Sequence, residues 1–439
     1  MKNILSIVFL FILTSAMGQT NPKLQAKLDQ QAKEMEAQVI EWRRHFHQFP
    51  ELSNRETKTG AYIAEFLKGL GLEVQYPIAK TGVVALLKTG KPGPVIALRA
   101  DIDALPVTER GNLPFASKEK VVYNGAETGV MHACGHDSHT AILMAVAQIL
   151  VKNKNELKGT IKFIFQPAEE GAPVGEEGGA DLMVKEGVLE NPKVEAIFGL
   201  HIQSMRPLGT IGYRSGGMMA ASDNFFITIK GKQAHGAAPW KGVDPIVIGS
   251  EIVNGLQTIV SRQLDLTNEA AIITVGKFHA GVRENIIPEE ATLSGTIRTL
   301  DVGMQNTIHE RIKLMATKIA ESGGATAEVT IKKLTPVTYN DPVLTAKMLP
   351  SLKHAAGDKN VVDIPADTGA EDYAFYQEKI PGLFFFVGAM PPEADPSKLS
   401  HHTPDFFVDE RGFLTGLKAM LQVSADYLLM PQSYNNLKK

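Results

Sequence analysis

Apolar and polar residues follow two different patterns along the chain. Short runs rich in β-branched and aromatic residues alternate with longer segments whose apolar residues recur at helical spacing. The strands expected from these runs are Val83–Leu87, Val95–Leu98, Thr160–Phe165, Ala196–Leu200 and Leu383–Val387. The helices expected around them include Leu24–Phe46, Ala61–Leu70 and Ala141–Val151. Alternation of this kind predicts an α/β domain with a mostly parallel sheet.

A second pattern covers residues 216–333, in the order strand, helix, strand, strand, helix, strand. This order is the split unit of a ferredoxin-like α+β sandwich. The α/β patterning resumes after Asp341, so we expect the unit to be inserted into the first domain. The predicted division is therefore 19–215 with 334–439 for the first domain and 216–333 for the inserted one. A chain of 439 residues suits two domains.

The first 18 residues have the pattern of a secretory signal peptide. Lys2 supplies a positive charge, Ile4–Leu13 is apolar except for Ser6, and small residues before Gln19 suit cleavage. The apolar core is too short for a membrane span. We therefore expect a secreted or periplasmic protein whose mature chain has no membrane span.

Net charge and cysteine content limit the possible partners and the possible cross-links of the chain. The formal net charge is −3 and no basic run stands out, so nothing indicates nucleic acid or an anionic membrane as a partner. Cys134 is the only cysteine, which rules out an intrachain disulfide.

Cys134 lies in the segment MHACGHDSH, residues 131–139, together with three histidines. Cys134 and His136 are two residues apart, so both side chains leave the same face of an extended segment. We expect Ser138 to cap the helix that follows, and the positive end of that helix to favour a thiolate. A thiolate beside an imidazole is half of a metal site. On this segment alone, a buried structural cysteine explains the pattern equally well.

Further polar residues stand just past the predicted strands, where the chemistry of parallel sheets collects. Asp101, Glu169, Glu170 and His201 are in such positions. The candidate metal ligands are Cys134, His136, Glu170, His201 and His402. A closed structural zinc takes four ligands, so five suit two metals that share a water. Adjacent residues of an extended segment point in opposite directions, so Glu169 and Glu170 cannot both face one metal. With Glu170 taken as a ligand, the remaining carboxylate of Glu169 is the natural general base.

Seven motifs give the chain a resemblance to a known family. They are HACGHD, QPAEEG, GLHI, GKQAHGAAP, ENIIPEEATLSGTIRT, GAEDYAFY and SHHTPDF. Together and in this order they resemble the aminoacylase/carboxypeptidase metallopeptidase family, and more narrowly its amidohydrolase branch, over nearly all of the mature chain. The resemblance implies a dinuclear metal site on an α/β catalytic domain, an inserted dimerisation domain and hence a homodimer. The implied reaction is hydrolysis of the amide that joins an acyl group to an amino acid.

The motifs also imply roles for individual residues. They give the same five metal ligands, and they match Glu169 to the catalytic carboxylate of the family. Asn285 and Arg298 match the grip on the substrate carboxylate, which suits the bidentate fork of arginine. His235 matches a histidine that reaches the site of a neighbouring subunit. For Arg298 a surface strand position, and for His235 an ordinary loop position, remain alternatives.

One position departs from the wider family. That family has a metal-ligating histidine two residues before the aspartate that matches Asp101, whereas this chain has Arg99, as fits the amidohydrolase branch. The expected cofactors are two divalent ions per chain. A thiolate ligand favours zinc, while manganese and cobalt remain open.

The function expected from these residues is a metal-dependent amidohydrolase acting on N-acyl amino acids or similar small amides. A carboxypeptidase or dipeptidase acting on short peptides is the alternative within the enzyme class. A non-catalytic protein that binds metal for export, storage or sensing is the alternative outside it. Such a binder needs the ligands but no general base, so Glu169 beside Glu170 favours the enzyme.

Overall fold

The computed structural model describes residues 21–430, so the predicted signal peptide at 1–18 lies outside the described residues. The α-helices in this range are α1 (Pro22–Gln48), α2 (Thr57–Gly69), α3 (His136–Lys152), α4 (Gly179–Lys185), α5 (Pro245–Gln263), α6 (Val302–Ser322), α7 (Pro342–Ala356), α8 (Ala374–Gln377) and α9 (Phe413–Leu429). None of the helices within 21–430 is long and apolar enough to cross a membrane.

The strands of the same range fall into one large sheet and several smaller ones. They are β1 (Glu73–Ile78), β2 (Gly82–Lys88), β3 (Val95–Asp101), β4 (Lys120–Tyr123), β5 (Ala126–Gly129), β6 (Thr160–Gln166), β7 (Ala196–Pro207), β8 (Ile211–Tyr213), β9 (Gly216–Met219), β10 (Ala221–Lys230), β11 (Ala234–His235), β12 (Ala271–Ala280), β13 (Ile286–Ile287), β14 (Glu290–Thr299), β15 (Thr326–Thr335), β16 (Thr338–Asn340), β17 (Val361–Asp363) and β18 (Gly382–Met390).

The large sheet has the strand order β1-β2-β6-β3-β7-β18-β8-β17. Its four middle strands, β6, β3, β7 and β18, run parallel to one another, while β1, β2 and β8 add antiparallel pairs at the sides. The five strands expected from the sequence are β2, β3, β6, β7 and β18 of this sheet. The prediction of an α/β fold with a mostly parallel central sheet is therefore confirmed.

Helices cover both faces of the large sheet, which explains why its middle strands are continuous apolar runs. On one face α3 and α9 both pack on the sheet and α1 packs on these two helices, and Leu143 and Leu421 contribute to the larger core there. On the other face α4 and α8 bring Met183 and Tyr376 into a smaller core against the sheet. Both layers hold the carboxyl ends of β3, β6 and β7 in fixed positions.

A second sheet has the order β12-β14-β10-β15 and is antiparallel throughout. Helices α5 and α6 pack on it around a separate apolar core that includes Ile227, Ile252 and Ile312. The chain order β10, α5, β12, β14, α6, β15 is the expected strand and helix order of a ferredoxin-like sandwich. This sheet spans residues 221–335. Residues 216–219, which the predicted insertion includes, pair with β16 instead.

Two local expectations are wrong. Helix α3 begins at His136 with Gly135 as its N-cap, so Ser138 lies inside the helix and does not cap it. Gly135 has a φ of +106°, and a Cβ at this position would lie 2.1 Å from the Ile202 side chain. The chain can therefore turn into the helix directly after Cys134. Strand β7 also continues to Pro207, which places His201 within the strand and not past its end.

The turn at Gly135 leads to a prediction about stability. Gly135→Ala should lower the free energy of unfolding by about 2 kcal/mol or more, because it adds both backbone strain and a steric overlap. Thermal and denaturant unfolding of the purified protein would measure the change. Gly69→Ala at the end of α2 is the control, since a Cβ there meets nothing within 4 Å, and we expect a change below about 0.5 kcal/mol. Equal effects at the two positions would contradict the argument.

Candidate metal centre and catalytic residues

The predicted ligands meet on the side of the sheet where the parallel strands β3 and β6 end. The loop after β3 leads by way of Met131–Gly135 into α3, the loop after β6 carries the two glutamates, and β7 carries His201. The segment between β18 and α9 supplies His402. Cys134, Glu169, Glu170, His201 and His402 all line one cavity of about 770 Å³. A site in this position is typical of parallel α/β sheets.

Cys134 lies at the centre of this cluster. Its Sγ is 3.3 Å from His201 Nε2 and 3.3 Å from His402 Nε2. Its sulfur belongs to two groups of three donor atoms, one with His136 and His201 and one with Glu170 and His402. Within each group all donor atoms lie within 4.8 Å of one another. The arrangement suits two ions with the cysteine sulfur common to both.

Two of the predicted histidine ligands donate hydrogen bonds from Nδ1, which leaves Nε2 of each ring for a metal. His136 Nδ1 donates to the Asp103 carbonyl at 2.9 Å, and His201 Nδ1 donates to the Ile202 carbonyl at 2.6 Å. In the neutral form of each ring, the Nε2 atom then carries the lone pair that a metal would bind. Buried polar atoms normally have hydrogen-bond partners, yet His136 Nε2 has none among the described residues. Glu170 Oε1 lies 3.1 Å from His402 Nε2, so these two donor atoms are close enough to bind the same metal ion.

The charges around Cys134 also fit divalent cations. Burial raises the pKa of the Cys134 thiol well above its usual range, and the carboxylates of Glu170 and Glu169 raise it further. In the protein alone, burial and these carboxylates oppose the thiolate that the start of α3 is expected to favour. Burial, followed by Glu371 and Glu170, likewise raises the pKa of Glu169. Nearby cations would favour the charged form of both groups.

Arg99 stands at the position where the wider family has an additional metal-ligating histidine, and it forms ion pairs with carboxylates. Its buried guanidinium lies 2.7 Å from Asp101, 3.0 Å from Glu371 and 2.9 Å from Asp372. Burial lowers its pKa, but Glu371 and Asp101 outweigh burial and hold the pKa well above the usual value. The side chain is therefore a permanent cation that binds carboxylates and no metal. Its neighbour Asp372 donates a backbone N–H to Glu169 Oε1 at 3.4 Å.

Two histidines that the sequence reasoning did not assign also lie in the centre. His139 Nδ1 is 2.6 Å from Asp101, and His401 Nδ1 is 3.6 Å from Cys134 Sγ. Their rings flank His201, with ring centroids 4.7 and 5.4 Å from it. Both residues stand in motifs that the sequence analysis singled out, His139 in the segment 131–139 and His401 beside the predicted ligand His402. The motifs do not show which way either side chain points.

Helix α1 holds the ligand-bearing loop from the outside. Arg43 Nε lies 3.0 Å from Asp137, and His47 Nδ1 lies 2.7 Å from the same carboxylate. Asp137 follows His136 directly, so this buried ion pair fixes the start of α3 against α1.

The remaining predicted residues lie in the 221–335 unit, and none of them lines the cavity. His235 is exposed, and its Nδ1 accepts a hydrogen bond from the Ala237 N–H at 3.0 Å. It is next to Asn285, whose carbonyl accepts the Gly236 N–H at 2.9 Å. Arg298 is half-buried in β14, and its Nη1 has no hydrogen-bond partner among the described residues. Within one chain the three are separate from the metal centre.

Comparison with known proteins agrees with this geometry. The peptidase family M20/M25/M40 matches residues 97–426. The chain is 40% identical over 380 residues to the N-acetyl-L-cysteine deacetylase of Bacillus subtilis, covering 87% of this chain and 86% of the relative. It is also 40% identical over 386 residues to thermostable carboxypeptidase 1 of Saccharolobus solfataricus, covering 88% and 94%.

A solved structure extends the comparison to the metal site. The crystal structure of the Bacillus subtilis YXEP protein, described as a dinuclear metal binding peptidase, is similar with a TM-score of 0.76 at 37% identity. The match covers 91% of this chain and all of that one. The chain therefore belongs to peptidase family M20/M25/M40, and it is a metal-dependent hydrolase of amide bonds.

Proposed function

We propose that the protein hydrolyses N-acyl amino acids or similar small amides with two divalent ions per chain. The observation that carries the proposal is the shared position of Cys134 in two groups of metal donors, with the carboxylate of Glu169 beside them. Cys134, His136 and His201 would hold one ion, and Cys134, Glu170 and His402 the other. Zinc suits the thiolate best, with manganese and cobalt as alternatives.

Bound ions would supply Lewis acidity toward the amide carbonyl and lower the pKa of water. The protein's own part is proton transfer and orientation. Glu169 is almost buried, and its Oε2 lies 3.8 Å from His136 Nε2, next to the position proposed for a metal. This position suits a base that takes a proton from water and returns it to the amine leaving group. The Asp372 N–H holds the second oxygen of Glu169 in place.

The substrate carboxylate needs a cation that the cavity does not supply. No lysine or arginine is among the described residues that line it. We propose that Asn285 and Arg298 grip this carboxylate and that His235 contributes from a second copy of the chain. Strand β12 supports a dimer, because it is an edge strand of its sheet and exposes Ile272 and Phe278. Exposed edge strands of this kind pair readily with another chain.

The proposed location is the periplasm or the outside of the cell, as the sequence of the first 18 residues indicates. Cleavage of short peptides from their carboxyl end is a second candidate, since its substrates offer the same amide and carboxylate. A hydrolysis screen over N-acyl amino acids and dipeptides, with each metal added back, separates the two. Turnover of dipeptides alone would favour the second candidate, and turnover of neither class would contradict both.

The number of ions tests the metal assignment. After reconstitution, elemental analysis should find about two ions per chain, because two groups of donors are present. Cys134→Ser should weaken both sites, whereas Glu170→Gln and His201→Ala should each weaken one site. A saturating ratio near one in the unmodified protein would contradict the dinuclear assignment.

The two adjacent glutamates should respond differently to the same change. Glu169→Gln should keep both ions and the fold but lose about 10³-fold in kcat, because glutamine cannot carry the proton. Glu170→Gln is the matched control and should chiefly weaken metal binding. Steady-state kinetics per bound ion, together with the ion count, would measure both. A Glu169→Gln variant with near-normal turnover would show that another group is the base.

A mixing experiment tests the proposed role of His235. The Glu169→Gln and His235→Ala proteins would be dissociated together and reassembled. If His235 acts across subunits, one site of each mixed dimer contains both native residues. Random pairing makes about half of the dimers mixed, so activity should return to about a quarter of that of the unmodified protein.

If His235 acts within its own chain, every site in the mixture carries one defect and the activity stays low. Each variant alone must be inactive, and exchange of chains must be demonstrated with differently tagged proteins. Absence of recovery despite exchange would rule out a site shared between subunits.

A further inference from the structure

His401 lies against the metal centre without belonging to any of the donor groups. Its Nδ1 is 3.6 Å from Cys134 Sγ, while the three-atom groups that could hold an ion all exclude it. We propose that His401 is a positioning residue, which donates a hydrogen bond from Nδ1 to the Cys134 thiolate and thereby sets how tightly the ions are held. The inference rests on the proposed function, because it takes that thiolate as the ligand common to both ions.

The backbone of β7 determines which nitrogen of His401 carries the proton. The Ser204 N–H donates to His401 Nε2 at 3.2 Å. A ring nitrogen that accepts this hydrogen bond has no proton of its own, so the proton is on Nδ1. Nδ1 is the atom that faces the sulfur. His401 is therefore a hydrogen-bond donor to Cys134, and its lone pair is directed away from the ions.

A backbone N–H of β7 also donates to the Nε2 atom of the histidine on the other side of His201. Strand β3 pairs with β7 only as far as Arg99 opposite Gly199, so residues further along β7 have no partner in β3. The Ile202 N–H donates to His139 Nε2 at 2.8 Å, which leaves the proton of His139 on Nδ1, toward Asp101. Alternate residues of β7 thus orient two histidines in the same way. One supports a carboxylate and the other supports the thiolate.

A donor at this position has a physical purpose. The Cys134 sulfur is buried, and a carboxylate oxygen of Glu170 lies within 4.8 Å of it. A hydrogen bond from a neutral ring stabilises the negative charge of the thiolate without adding a competing ligand. The His401 ring also packs on Phe406, with centroids 5.0 Å apart, which limits its rotation.

Three substitutions of His401 distinguish a hydrogen-bond donor to the sulfur from a metal ligand and from a side chain that only fills space. His401→Asn keeps an N–H near the position of Nδ1, His401→Gln keeps an acceptor for the Ser204 N–H but no donor near the sulfur, and His401→Leu keeps only volume. Chelator competition on the metal-loaded proteins would measure metal affinity, and elemental analysis would give the number of bound ions. Absorption spectra of the cobalt-loaded proteins would give the energy of the sulfur-to-cobalt charge-transfer band.

We expect His401→Gln and His401→Leu to bind two ions about 10-fold more weakly and to shift the band to lower energy, because the sulfur loses its donor. His401→Asn should stay close to the unmodified protein in both measurements. If Leu does not fold, the comparison of Asn with Gln decides the question. Neither measurement needs a substrate, so failure of the proposed reaction would not affect the result.

Two outcomes would overturn the proposal. Loss of one ion in all three variants would make His401 a ligand. Unchanged affinity and an unchanged band in both His401→Gln and His401→Leu would reduce it to a packing residue.

Discussion

Negative charge buried around a single sulfur atom is the constraint on which the rest of the structure depends. Glu169 and Glu170 from one loop and Asp101 from β3 raise the pKa of the buried Cys134 thiol, and Glu371 and Asp372 lie beside Glu169. Burial opposes an accumulation of negative charge of this kind. Arg99 neutralises the side of the cluster that faces the sheet. On the cavity side no arginine or lysine among the described residues does the same. Divalent cations are what can stabilise the remaining charges, so the fold and the metal are linked energetically.

The sheet and its helices hold the donor atoms where such cations can bind. Hydrogen bonds to the backbone orient the histidine rings of the site. Their partners are a carbonyl after β3, a carbonyl within β7 and two N–H groups of β7, all of which the sheet holds in place. A donor set whose tautomers are fixed by backbone needs little rearrangement when an ion binds. The buried pair of Arg43 and Asp137 extends this support to the first helix of the structure.

The sequence predicted the parts of the site that depend on local pattern. The middle strands are apolar runs because both faces of the sheet are covered, and the two adjacent glutamates follow such a run directly. What the sequence did not predict depends on contacts over long distances. Arg99 meets Glu371 across 272 positions, and carboxylates from other segments raise the pKa of the Cys134 thiol. The pair His401 and His402 illustrates a further limit, because His402 has a φ of +60° and the two rings leave the backbone in directions that no simple pattern gives.

The same electrostatics explain why recognition of a substrate carboxylate would be assigned to the second unit. An arginine placed among the carboxylates of the metal centre would pair with them, as Arg99 does, and would have no free N–H groups for a ligand. Arg298 stands apart from that cluster and keeps an Nη1 atom without a partner among the described residues. In the proposed function the charged grip is therefore built away from the acids and reaches the cavity from a second copy of the chain. Under that proposal, one sheet concentrates negative charge for the metals while the other presents positive charge to the substrate.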